Sequence, residues 1–176
     1  MNNAESTPIS PEAAVEVARF RQLLPWSRAF LDSVLPAHAK ENYRVIGAGV
    51  FDAPGAKPPI TVRHGFSMGF VRCQPGKGAA LHAHETREVF MPLDGHLRVH
   101  YGPSGEDSTD LSPWDVLSVA PGVMRSFENI GQSELTLLAL VVDGPAGSEK
   151  VRWHEDVVSA AAKMGVTLDA QGRLAP

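Results

Sequence analysis

The period of the apolar positions changes along this chain. Between Ser10 and Leu24, Ala13, Val17, Phe20 and Leu24 recur at spacings of four, three and four, while Glu12, Glu16 and Arg19 fall on another face. That stripe predicts an amphipathic helix. Ser10-Pro11-Glu12 supplies a serine cap with proline at the first helical position, and Pro25 ends or kinks the run. A second helical piece is predicted from Ser27 to Leu35, stopped by Pro36. Both are too short to stand alone and predict packing on a larger body.

From Tyr43 the pattern becomes one of short runs rich in β-branched and aromatic residues: YRVIGAGVF, ITVRHGFSMGFVRC, REVFMPL, HLRVHY, DVLSVA, MRSFENI and ELTLLALVV. Turn clusters separate them, among them DAPGAKPP, QPGKG, LDG, GPSGED, SPWD and APG. Many short strands with regular turns predict a β-sandwich or barrel. After Val142 comes a loop, then HEDVVSAAAKMG as a C-terminal helix with Gly165 as terminator and Val157, Val158, Ala161 and Met164 as its apolar residues. The predicted organisation is an N-terminal helical extension (1–42), a β-barrel (43–145), and a C-terminal helix and arm (146–176).

A chain of 176 residues, 43% of them hydrophobic, fits one domain with a real core. The net charge of −4, with no basic stripe, argues against nucleic acid as a partner. A lone cysteine, Cys73, excludes an intrachain disulfide framework and fits a reducing, cytoplasmic setting. No run of 18 apolar residues occurs, and the polar N-terminus lacks the apolar core of a signal peptide, so no membrane association is expected. Neither G-x-S-x-G, G-x-G-x-x-G nor a P-loop is present.

The stretch LHAHETREVF carries the candidate chemistry. On a strand, His82 and His84 share a face, with Cα atoms about 6.5–7 Å apart, so both imidazoles can converge on one ion. A turn then lets Glu88 enter the next strand. If its carboxylate faces the interior, the three form a two-histidine, one-carboxylate set, which suits Fe, Zn, Mn or Ni as a divalent cofactor.

These spacings resemble those of the cupins. Their first motif runs glycine, five residues, His-x-His, three residues, glutamate, six residues, glycine. Gly76, His82, His84, Glu88 and Gly95 meet every interval. The second motif resembles WDVLSVAPGVMRSFEN, where Asp115, Pro121, Gly122 and Asn129 match. Trp114 replaces the leading glycine, and Arg125 replaces the histidine that is the fourth metal ligand. The resemblance covers about residues 60–143. It implies an all-β fold, a double-stranded β-helix or jelly-roll barrel, here with helical extensions, and often a homodimer. Activities across the family are diverse, so it implies little about the reaction.

Arg125 leaves two accounts open. In one, the metal stays and Arg125 binds an anionic group of the substrate by its planar fork. In the other, Arg125 pairs with Glu88 in a metal-free pocket. The function expected from the first is a small-molecule enzyme acting on a carboxylate, sugar-acid or phenolic substrate, of dioxygenase, isomerase or lyase type. The second implies a non-catalytic module that binds a small ligand.

The remaining candidates have simpler readings. Leu97, Val99 and Tyr101 are expected to face the barrel, which turns His96 and His100 outward. His64 reads as a solvated loop residue, and His38 and His154 as surface residues. Cys73 reads as a small buried hydrophobe, and Met68, Phe70, Phe90 and Phe127 as core. Trp114 is expected to cap the barrel or to pack on the N-terminal helices.

Overall fold

The structure, a computed structural model, describes residues 15–47, 49–53, 57–145 and 150–175. Two five-stranded antiparallel sheets face each other. The first runs in the order β1 (Glu41–Ile46), β2 (Phe66–Cys73), β9 (Leu135–Val142), β4 (Glu88–Pro92), β7 (Leu117–Val119). The second runs β10 (Arg152–Trp153), β3 (Gly78–Ala83), β8 (Arg125–Asn129), β5 (Leu97–Tyr101), β6 (Asp107–Leu111). This is the jelly-roll arrangement that the sequence predicts.

Alternation fills the space between the sheets. Leu97 and Val99 of β5, Leu135 and Leu137 of β9, Phe90 of β4 and Phe127 of β8 are all buried in one cluster. The Phe90 and Phe127 rings meet edge to face with centroids 5.6 Å apart. Arg98 points outward and pairs with Asp110 across β5 and β6 at 2.7 and 2.8 Å. Tyr101 is exposed, so the inward face of β5 ends at Val99.

Two glycines fix close approaches. At Gly78 an added Cβ would lie 1.8 Å from the Phe127 carbonyl oxygen, so only glycine lets β3 meet β8 there. Gly95, from the first motif, has φ +65° in the turn before β5. Asn129, from the second motif, is fully buried. Its Nδ2 donates to the carbonyls of Cys73 (2.9 Å) and Ser133 (2.8 Å), and its Oδ1 accepts from Gly131 N–H (2.9 Å).

The N-terminal extension departs from the expected helices. The predicted start at Ser10 and Ala13 lie outside the described residues. From residue 15 to Leu24 the only helical element is a single 3-10 turn, Phe20–Gln22, and Val17 and Leu24 are exposed. The chain is drawn out instead along the edge of the first sheet. Trp26 exchanges backbone hydrogen bonds with Asn42, at 2.9 and 3.3 Å, and Phe20 packs on Tyr43 and Phe70. The expected helix over 27–35 reduces to a 3-10 turn at Leu31–Val34, followed by another at Pro36–His38. Here side-chain acceptors replace helical carbonyls: Leu31 N–H donates to Asp52 Oδ2 at 2.8 Å.

The C-terminal helix, α1 (Glu155–Lys163), forms as expected, capped by His154 and followed by Gly165 at φ +79°. Its inward face is Val157 and Ala161, while Val158 and Met164 are exposed. With Leu31, Ala80 and Trp153 it builds a second apolar cluster outside the barrel. Among the described residues no helix is long and apolar enough to cross a membrane.

Candidate functional site

β3 delivers His82 and, just beyond its end, His84; β4 begins with Glu88; β8 begins with Arg125, the cross-strand partner of His82. The ring centroids of His82 and His84 are 6.2 Å apart. One ligand atom from each of His82, His84 and Glu88 lies within 4.8 Å of the others. Register therefore assembles the three from two sheets, which spacing alone did not require.

The backbone sets the imidazoles. His82 Nδ1 donates to the carbonyl of Ala80, two residues earlier, at 2.7 Å, which leaves the Nε2 lone pair free. His84 Nδ1 lies 3.1 Å from Thr86 O and 2.6 Å from Thr86 Oγ1, so a proton held there leaves Nε2 as an acceptor too. Burial, with Arg125 nearby, pushes His82 down to about 3, so it is neutral. Burial alone would raise Glu88, but the Arg125 guanidinium and His84 outweigh it and hold the carboxyl at about 2. Two imidazole nitrogens and one carboxylate are a donor set that a divalent cation accepts. These residues fit the ion that the sequence suggests.

Arg125 is the discordant member. It has no exposed surface. Nε and Nη2 both donate to Glu88 Oε2, at 3.1 and 2.7 Å, Nη1 donates to Val123 O at 3.2 Å, and Nη2 also closes on His84 Nε2. The pairing with Glu88 weighed in the sequence is thus present.

A cavity of about 90 Å³ opens in front of the site. His82, His84 and Glu88 lie on its wall beside Phe90, Phe127 and Trp153, whereas Arg125 does not reach it. Sequence reasoning missed the far wall, to which Asp32 and Lys40 of the N-terminal extension contribute. Lys40 Nζ donates to Asp32 Oδ1 at 2.6 Å, and Asp32 Oδ2 accepts from Ala80 N–H at 2.8 Å. Trp153 stands 5.3 Å from the His82 ring, centroid to centroid, and donates from Nε1 to Asp52 Oδ2 at 3.0 Å. The HxH and glutamate spacing had no counterpart signal for these.

Other sequence candidates separate cleanly. His64 is exposed, with Nδ1 donating to Val62 O at 2.6 Å. His38 is half-buried and its Nδ1 has no partner, so it is not a free surface residue. Cys73 is buried, and burial pushes its thiol up to about 11, which makes it inert. Trp114 is 69% exposed at φ +74°, so among the described residues it neither caps the barrel nor packs on the N-terminal extension.

Residues 69–142 match the family model of the cupin domain. No curated protein matches the chain in sequence. Among solved structures, the fold is similar to Lactobacillus farciminis oxalate decarboxylase in a formate complex, at 17% identity and TM-score 0.53, over 80% of this chain and 36% of that one. It is also similar to a DMSP lyase structure, at 13% identity and TM-score 0.50, over 66% of this chain and 53% of that one. A Klebsiella pneumoniae protein with a double-stranded β-helix domain aligns at 21% identity and TM-score 0.45, over 51% and 75%. At these identities the likeness is one of fold.

Proposed function

Taking as premise that this chain belongs to the cupin superfamily, we propose that it is a small-molecule enzyme that holds one divalent metal through His82, His84 and Glu88. The carrying observation is the convergence of three acceptor atoms within 4.8 Å on the wall of an otherwise largely apolar cavity. A bound metal would supply Lewis-acid polarisation of an oxygen-bearing substrate. Ala80 O and Thr86 keep the imidazole lone pairs aimed inward. Phe90, Phe127 and Trp153 give the cavity an apolar wall beside the ligands.

The cavity's size narrows the substrate class. A cavity near 150 Å³ takes benzene. At about 90 Å³ and open at its mouth, this one takes a compact acid of a few heavy atoms wholly inside, whereas a phenolic or a sugar acid would extend through the mouth. Because Arg125 does not line the cavity, an acid bound there would meet the His82–His84–Glu88 set and any ion it holds, and not the guanidinium. The enzyme is read as acting in the cytoplasm.

The test is metal content. Purified protein is expected to hold about one equivalent of a transition metal, and His82→Ala with His84→Ala together to lose it while the β-rich circular dichroism persists. Unchanged metal content in the double variant refutes the reading. A metal-free ligand-binding module is the second reading. It is favoured by one observation, the contact of Arg125 with both Glu88 and His84. Protein that takes up no metal on reconstitution supports it.

A further inference from the structure

Arg125 does more than replace a ligand. A guanidinium is charged at every accessible pH and has five donors and no acceptor. Here it lies behind the ligands, outside the cavity, with no exposed surface and with its donors on Glu88, His84 and Val123. The Glu88 carboxylate and the Arg125 guanidinium are in direct contact and offset each other, so the metal-free site is already paired and hydrogen-bonded. A dication adds two positive charges to a buried site that already holds one. It must also take the His84 lone pair from the Arg125 Nη2 hydrogen. The cavity reaches His82, His84 and Glu88 and not Arg125, so it offers a compensating anion a path to the ligands that avoids the guanidinium.

We infer that Arg125 makes the metal and a small carboxylate bind as a pair: the ion enters the His82–His84–Glu88 set together with an acid that lies on it from the cavity, and neither binds well alone. This rests on the metal reading above and adds its control. Any open metal site gains something from an added ligand, so the part owed to Arg125 is the part lost when its charge is removed. By linkage, the factor by which the acid raises metal affinity is the factor by which metal raises acid affinity.

The experiment uses the full chain, stripped of metal by chelation and titrated with Co²⁺, read by its visible absorption. Titrations run without acetate and with saturating acetate, with free Co²⁺ corrected for acetate complexes. In the parent, acetate is expected to raise Co²⁺ affinity about tenfold or more, within the usual range of coupling. Arg125→Met is expected to bind Co²⁺ more tightly than the parent in the absence of acetate, with the acetate effect reduced to a few-fold at most. Arg125→Lys keeps the charge and is expected to keep the parent's coupling. Should Arg125→Met fail to fold, Arg125→Gln makes the same comparison, because its side chain is uncharged and its amide can still donate a hydrogen bond to Glu88. Equal Co²⁺ affinity with and without acetate in the parent overturns the inference, as does full coupling in the uncharged variant. Co²⁺ uptake without coupling leaves the metal reading standing. No Co²⁺ uptake by any of these proteins, with or without acetate, overturns both.

Discussion

Asp52 joins the two ends of the chain to each other, and its substitution tests how that junction is held. Its Oδ2 accepts from Leu31 N–H at 2.8 Å and Trp153 Nε1–H at 3.0 Å, and its carbonyl accepts from Leu174 N–H at 2.9 Å. The residue is 2% exposed. Burial, against the two hydrogen bonds, raises its carboxyl from 3.8 to about 7, with Asp32 raising it further and Lys40 lowering it. A carboxyl whose folded pKa is raised binds more protons in the folded state than in the unfolded state, so its contribution falls as pH rises. The loss begins near the unfolded value of 3.8 and is complete above about 7. Some three pH units at 1.36 kcal/mol each give a total of about 4 kcal/mol, of which about 2.5 kcal/mol falls between pH 5 and pH 8. Asp52→Asn keeps an acceptor for both donors and removes the charge. In urea melts, the stability of the variant relative to the parent is expected to grow by about 2.5 kcal/mol from pH 5 to pH 8. The difference between the two proteins cancels the titration of the other groups. Parallel profiles for parent and variant would show that Asp52 is not held as a strained buried acid.

Three further outcomes are expected. Trp114→Gly should stabilise the protein by about 1 kcal/mol in thermal melts, since φ +74° is costly for a side chain that packs on little, and loss of stability would show an unseen contact. Lys40→Met should destabilise by about 3–5 kcal/mol, because the buried Asp32 loses its cation, and the double change Lys40→Met with Asp32→Asn should recover part of it. The protein is expected to be a homodimer by light scattering, with Val17 and Leu24 of the N-terminal extension covered across the interface; a species of 18.9 kDa throughout the micromolar range refutes that.

The barrel and the ligand triad were legible because their causes are local. Alternation put Leu97 and Val99 inward, a glycine was needed at the φ +65° turn at Gly95, and the HxH spacing placed two imidazoles on one face. The strand β6 was not legible: DSTDL has no apolar alternation, and its edge position is held by pairing with β5, including Arg98 with Asp110. The N-terminal stripe read as helix because periodicity records which residues are apolar, not what they will meet. The bridge of Trp26 to Asn42 and the Asp52 carboxylate that accepts from Leu31 replaced local helical hydrogen bonds with distant ones. Arg125 shows the same division at the site. The sequence by itself determined that a permanent cation stands at the fourth-ligand position. Only the tertiary structure decided that it lies behind Glu88 and His84, outside the cavity, because cross-strand register and burial, not spacing along the chain, set which side of a ligand a neighbour occupies.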